Sequence, residues 1–365
     1  MINLLKTLWV LLILVPVINL IGQENEDQTD FNLSAFVDVY YSYDFAQPAS
    51  DIRQPFLYHH NRHNEFNINL AMIRLAVDNP KYHAVVAMHA GTYAQDNYAA
   101  EEDLLKNIFE AYVGVALDKE EKLWLDAGVF SSNLGFANGV SMDNFTLTRS
   151  LVAESSPYFL SGAKLTYMPS EKWLFMLLAT NGWQRIKRVP GNSLISTGTQ
   201  IQFKPNDKVL LNWSTFIGTD DPDATRRMRY FNNFYGTFSL SKKWDLIAGF
   251  DIGWQQEAKG NSSYDAWLGP VAILHAQWSE RWGSALRVEY FHDPSEVAVA
   301  IEGPEGFKTT GISLNMDFQP APSVMCRIEG RYFSSPDEIY YDGTDFSSSN
   351  FFFTGSLAVK MGQNW

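Results

Sequence analysis

From Phe31 onward, apolar and polar residues alternate at every second position in sixteen separate segments, and the links between them alternate between short and long. Side chains on a strand point to opposite faces in turn, so each segment presents one greasy and one polar face. Phe31, Leu33, Ala35, Val37, Val39 and Tyr41 oppose Asn32, Ser34, Asp38 and Ser42. Trp244, Leu246, Ala248, Phe250, Ile252 and Trp254 oppose Asp245, Asp251 and Gln255, and Val324, Cys326, Ile328 and Tyr332 oppose Arg327, Glu329 and Arg331. The expected strands are 31–43, 65–77, 82–93, 105–117, 122–130, 158–168, 172–181, 197–204, 208–216, 230–240, 244–254, 266–278, 282–291, 307–318, 323–333 and 351–365. Seven short links, such as Asp78–Lys81 and Pro169–Glu171, alternate with eight long polar ones, of which 131–157 is the longest. This order fits an all-β chain closed as an antiparallel up-and-down transmembrane barrel of about sixteen strands, with both termini at the short-turn end. Fourteen or eighteen strands stay compatible with the boundaries.

A β-protein spans hydrocarbon only as a closed barrel, because every backbone polar group must be paired internally. The outward parity carries no acid, and its one strong base is Arg74, placed near a turn where a long side chain reaches water. The inward parity carries Glu110, Asp126, Lys164, Lys204, Asp251, Arg287, Glu289, Arg327, Glu329 and Arg331. Sixteen strands enclose an aqueous lumen, so these ten are expected to line the pore. Pairing as wall struts stays equally open for Arg287–Glu289 and for the Arg327–Glu329–Arg331 ladder. Aromatic residues make up 15% of the chain and gather at the tight turns. Tyr82, Trp124, Trp173, Trp244, Trp278 and Trp282 are therefore expected to form a membrane-interface girdle, their polar tips at headgroup level. Loop 131–157 has helix-like content over 143–153, with Asn144 or Thr146 as caps. It is expected to fold inward as a constriction, turning Asp143, Arg149 and Glu154 toward the passage.

Met1–Gly22 reads as a secretory signal, with one lysine ahead of an apolar run too short to span a bilayer. The domain plan is then 1–22 signal peptide and 23–365 a single barrel. Twenty-eight basic against 41 acidic residues, a formal charge of −13, argue against nucleic acid as a partner. A single cysteine, Cys326, excludes an intrachain disulfide and a multi-thiolate metal site. His59, His60, His63 and Glu65 are a weak metal constellation in a polar loop, and no metal or cofactor is expected. No G-x-S-x-G elbow occurs, and His292-Asp293 is a thin basis for catalysis, so no enzyme is expected. The last segment closes on Trp365 with an alternating apolar face, the kind of signal read by barrel-assembly machinery.

Several motifs carry a family resemblance: Gln95-Asp96-Asn97-Tyr98, Asp143-Asn144 with Thr146-Leu147-Thr148-Arg149-Ser150, Glu154 with Ser156-Pro157-Tyr158, Ser161-Gly162-Ala163-Lys164-Leu165, Asn181-Gly182-Trp183-Gln184 and His60-Asn61-Arg62-His63-Asn64-Glu65-Phe66. Together they resemble the OmpL-like β-barrel porin family of Gram-negative outer membranes, most densely over 36–190. The resemblance implies an outer-membrane barrel for passive passage of small hydrophilic solutes or ions, and it supplies no catalytic residues. Outer-membrane lipid and lipopolysaccharide would be the partners, with a homotrimer left open. A non-conducting structural or adhesive barrel is the alternative.

Overall fold

The computed structural model describes residues 29–301 and 306–364. The expected signal peptide, 1–22, and Trp365 lie outside the described residues. The barrel strands are β1 (Asp30–Asp44), β2 (Phe66–Asp78), β3 (Tyr82–Ala90), β4 (Ile108–Ala116), β5 (Leu123–Ser131), β6 (Phe159–Ser170), β7 (Trp173–Thr180) and β8 (Ser196–Asn206). They continue as β9 (Val209–Gly218), β10 (Arg229–Ser239), β11 (Trp244–Gln256), β12 (Tyr264–Gln277), β13 (Trp282–Asp293), β14 (Phe307–Ala321) and β15 (Val324–Ser334). A two-residue hairpin, β16 (Tyr340–Tyr341) with β17 (Phe346–Ser347), decorates the last long loop before β18 (Ser349–Asn364) closes the ring between β15 and β1. All sixteen barrel strands pair antiparallel with their neighbours, the closed ring expected from the alternating links.

The faces sort as hydrocarbon outside requires. Ile73, Val113, Leu177, Leu286, Leu314, Ile328 and Leu357 are exposed on the outer wall, while Arg287 and Arg327 are buried inside. Tyr82, Trp173, Trp278 and Trp282 are exposed on the outer wall at the short-turn end, and Trp244 leans edge-on against Trp278. The Lys243 ammonium sits 3.8 Å from the Trp278 ring centroid. An arginine at the centre of the lipid face costs about 2–4 kcal/mol in barrels of this kind. Leu286→Arg is therefore expected to lower folding stability in phospholipid vesicles by that order. A denaturant titration giving the same midpoint as wild type would contradict the assignment of faces.

Two expectations are corrected. Arg74 does not face lipid: it lies opposite inward Ser34 and ion-pairs with Glu110 at 3.1 Å inside the barrel. The cause is a bulge in which Asn69 is the extra residue, so Phe66 and Ile68 point outward but Leu70, Met72 and Arg74 point inward. A bulge puts two residues opposite one and reverses the parity beyond it. Trp124 is not part of the outer girdle: it shares the parity of inward Asp126 and stacks on His83 with ring centroids 4.7 Å apart.

The long-loop half of the barrel is filled. Phe56 and Leu57 from the first loop, Leu134, Leu151 and Val152 from loop 131–157, and Ile339 and Tyr340 from the last loop pack against the inward faces of Phe231, Trp267, Phe291, Phe333 and Phe352. Tyr93, Tyr98 and Val140 pack similarly on Phe36, Leu70 and Phe159. In the short-turn half, inward Tyr112, Lys164, Gln202, Tyr235 and Thr237 are only half-buried. The lumen is a cup, open toward the tight turns and closed under the long loops.

Candidate functional site

Loop 131–157 decides what the lumen can do, and its path follows from the donors it meets. Leaving β5, it is tied to the β8–β10 wall: Ser214 Oγ donates to the Asn133 carbonyl at 2.8 Å, and the Gly135 N–H donates to Asn233 Oδ1 at 3.0 Å. Phe136 then lies over Gly249, where a Cβ would approach its ring to 3.0 Å. Across the lumen, Ser141 Oγ donates to Asp38 at 2.8 Å. Arg327 donates to the carbonyls of Ser141 and Asn144 at 2.6 and 2.7 Å while Asp317 holds its other edge at 2.8 and 2.9 Å. The Lys360 ammonium meets Asp143 at 2.8 Å.

The firmest anchor is a buried set of two arginines and two glutamates on β13 and β15. Arg287 donates to Glu329 at 2.6 Å, and Arg331 donates to Glu289 at 2.6 Å. Glu329 also accepts from the Thr148 N–H at 2.7 Å and from its hydroxyl at 2.9 Å. Arg287 returns a bond to the Thr148 carbonyl at 2.7 Å. Glu289 accepts the Leu151 N–H at 2.7 Å, and Arg331 donates to the Arg149 carbonyl at 2.9 Å. Alternate inward positions on two strands one apart in the ring thus grip three backbone positions of one loop. Charges taken this far from water persist only when hydrogen bonds satisfy them.

The expected helix in the loop is reduced to one turn at Ser141–Asp143 and a short helix, Leu151–Glu154. Its cap is Ser150, accepting from the Ala153 N–H, in place of Asn144 or Thr146. Asp143 is partly exposed beside Lys360, but Arg149 and Glu154 are buried. The Arg149 guanidinium lies 3.7 Å over the Tyr158 ring, and the Tyr158 hydroxyl donates to Glu154. The His59 ring stacks on Tyr158 as well, and the His59 backbone N–H donates to Glu154 at 3.3 Å. Burial, then the nearby Arg149, holds the His59 imidazole well below its ordinary value, so it is neutral.

The ten expected pore-lining residues divide. Arg287, Glu289, Arg327, Glu329 and Arg331 are sealed beneath the loop and meet no water, because the loop supplies the partners water would have supplied. Asp251 is also buried, accepting from Asn233 at 2.6 Å. Asp126 is buried against His83, and Glu110 pairs with Arg74. Lys164, half-buried over the rings of Tyr112 and Phe130, and exposed Lys204 stand in the open half. Asp38 and Asn233 have the right parity but carry no signal of their own, since the loop residues they hold, Ser141 and Gly135, lie 103 and 98 residues away. Asp317 lies only ten residues from Arg327, but the loop carbonyl that Arg327 binds is 186 residues distant. The loop histidines are engaged elsewhere: His60 pairs with Asp38 at 2.9 Å, and His63 Nδ1 accepts the Asp44 N–H at 3.0 Å. A cavity of about 300 Å³ opens where the long loops converge, walled by Tyr58, Asp96, Glu154, Tyr158, Trp183 and Gln184.

A closed sixteen-strand cylinder with an apolar outer wall, a polar inner wall and one loop folded across its bore is a porin-type barrel. Residues 30–361 match the model of a family described as putative beta-barrel porin-2, OmpL-like, and the chain belongs to that family. No curated protein matches the chain. Among solved structures, the outer membrane channel DcaP of Acinetobacter baumannii is similar at a TM-score of 0.60 and 11% identity, over 91% of this chain and 97% of that one. The anion-selective porin from Comamonas acidovorans gives 0.58 at 7% identity, over 92% and 100%. OmpT of Vibrio cholerae gives 0.56 at 9% identity, over 93% and 99%. These likenesses are in the fold.

Proposed function

We propose that the protein is a passive outer-membrane channel for small hydrophilic solutes or ions, throttled by loop 131–157. The observation that carries this is the cup: a water-accessible, polar short-turn half beneath a plug made of one loop held by hydrogen bonds. A dedicated structural barrel has no need of a hollow half lined by Lys164, Gln202, Tyr235 and Thr237. The short turns would face the periplasm and the long loops the exterior, with the N-terminal segment directing export and the last strand, Ser349–Asn364, serving assembly. Lipid and lipopolysaccharide would bathe the outer wall. A homotrimer fits the porin class, and no catalytic role is assigned. The filled outer half also favours a second reading, a non-conducting barrel acting through its surface loops.

Planar bilayers separate the two. The channel reading expects stepwise current increments from the purified, refolded mature barrel and swelling of proteoliposomes that falls off with solute size. A barrel that inserts, shifts its electrophoretic mobility on heating and yet never conducts is the adhesive alternative. Reversal potential in a salt gradient then reports which sign of ion the open half prefers.

A further inference from the structure

We infer that the cavity beneath loop 131–157 is a binding site for a small monocarboxylate with an apolar body, held by Arg149. The inference deepens the channel reading, on which it rests for how the solute arrives. Arg149 is 5% exposed, yet its Nε and Nη1 have no hydrogen-bond partner among the described residues. Among the described residues its side chain makes one hydrogen bond, a long one from Nη2 to the Ala137 carbonyl at 3.4 Å, and its guanidinium carbon rests over the Tyr158 ring. Glu154 attracts it through space, but both carboxylate oxygens of Glu154 are committed, to the Tyr158 hydroxyl and the His59 N–H. Every other buried arginine of the loop anchor has a carboxylate bonded to it: Arg287 and Arg331 have glutamates, and Arg327 has Asp317. Arg149 alone of that group is a buried cation with two idle donors, and such a charge is costly unless an anion meets it.

Arg149 lines a cavity whose free space is about 70 Å³. At roughly 10–15 Å³ per water on this measure, that is room for about five to seven non-hydrogen atoms. The remaining walls fix the chemistry. Phe136, Phe145, Ile247 and Ile273 are apolar, and Thr146 and Ser150 are among the polar residues of the lining. Asp143 also borders the cavity, but the Lys360 ammonium bonds both its oxygens at 2.8 and 2.9 Å. A guanidinium edge presents paired N–H groups matched to a carboxylate. Phosphate or sulfate would press further charged oxygens against rings and isoleucines, where nothing pairs with them. A short-chain carboxylate places its oxygens on Arg149 and its carbons on the apolar walls.

The test uses the full mature barrel in detergent, titrated with butyrate, the isosteric butyramide and butylammonium and followed by saturation-transfer NMR. Saturable binding of butyrate alone is expected. Arg149→Gln should weaken it by about tenfold to a hundredfold, the range for a charge-assisted hydrogen bond. Ile273→Phe, which fills the cavity without touching Arg149, should abolish it, and heat-modifiable mobility verifies that each variant is folded. Butyramide binding as well as butyrate, or butyrate binding unchanged in Arg149→Gln or Ile273→Phe, would overturn the assignment. Butyrate bound by a barrel that carries no current would remove the channel reading and leave this site standing. A conducting barrel that ignores butyrate does the opposite.

Discussion

Excising 134–156 and bridging the ends with a short Gly–Ser link raises single-channel conductance severalfold in planar bilayers. The loop runs from the β8–β10 wall, where Asn133 and Gly135 are tied, to the β13–β15 wall, where Thr148 is gripped by Arg287 and Glu329. Nothing that spans a bore from wall to wall leaves the full section free for ions, and sixteen strands without such a crossing enclose a wide aqueous channel. The cylinder itself survives, because each strand is hydrogen-bonded to two neighbours around a closed ring. Its inward charges, deprived of Thr148 and Leu151, meet water instead of a void. Heat-modifiable mobility establishes that the excised barrel is folded before current is recorded. Conductance equal to wild type would mean that the loop does not obstruct the route, and the constriction would have to be sought in the other long loops.

Glu329→Ala releases the loop. The substitution removes the shorter of the two carboxylate contacts of the fully buried Arg287, leaving it Glu289 at 3.2 Å, which Arg331 also engages, and leaves the Thr148 N–H and hydroxyl without their acceptor. Removing one partner of a buried charge pair costs about 3–5 kcal/mol, far more than the pair contributes when whole. The loop has an escape the strands lack: it can swing outward and let Arg287 and Thr148 meet water. The cost is therefore expected to appear as cleavage at Arg149 by trypsin, a residue now buried, together with larger and noisier current steps. The double variant Arg287→Met with Glu329→Leu should be far less disturbed than either single change, since it removes both charges at once. A trypsin-resistant loop in Glu329→Ala, with unaltered current, would show that the β13–β15 charges are not what holds it.

Legibility in the sequence varied with the range of the interaction. The alternation of Trp244 through Trp254 and of Val324 through Tyr332 displayed the lipid and lumen faces directly, because strand geometry is local. The alternation of link lengths conveyed the ring. Parity, however, survives only as far as the next bulge. The extra residue at Asn69 turned Arg74 from a lone base facing lipid into the inward partner of Glu110. Nearness to a turn groups Trp124 with the girdle, although Asp126 two residues on marks its face as inward. The apolar residues of the long loops, Phe56, Leu57, Leu151 and Tyr340, carried no local signal of burial, because they sit in otherwise polar segments.

Period-two patterning and the spacing of turns by themselves determined the cylinder, a strand number near sixteen and the side that meets hydrocarbon, since all three follow from the geometry of one strand and its immediate neighbour. Whether the inward charges line water or clamp a loop was settled only by folding. Arg287 and Arg331 reach Thr148 and Arg149 across more than 130 residues of chain, and no spacing along the sequence encodes a contact made through the middle of a ring.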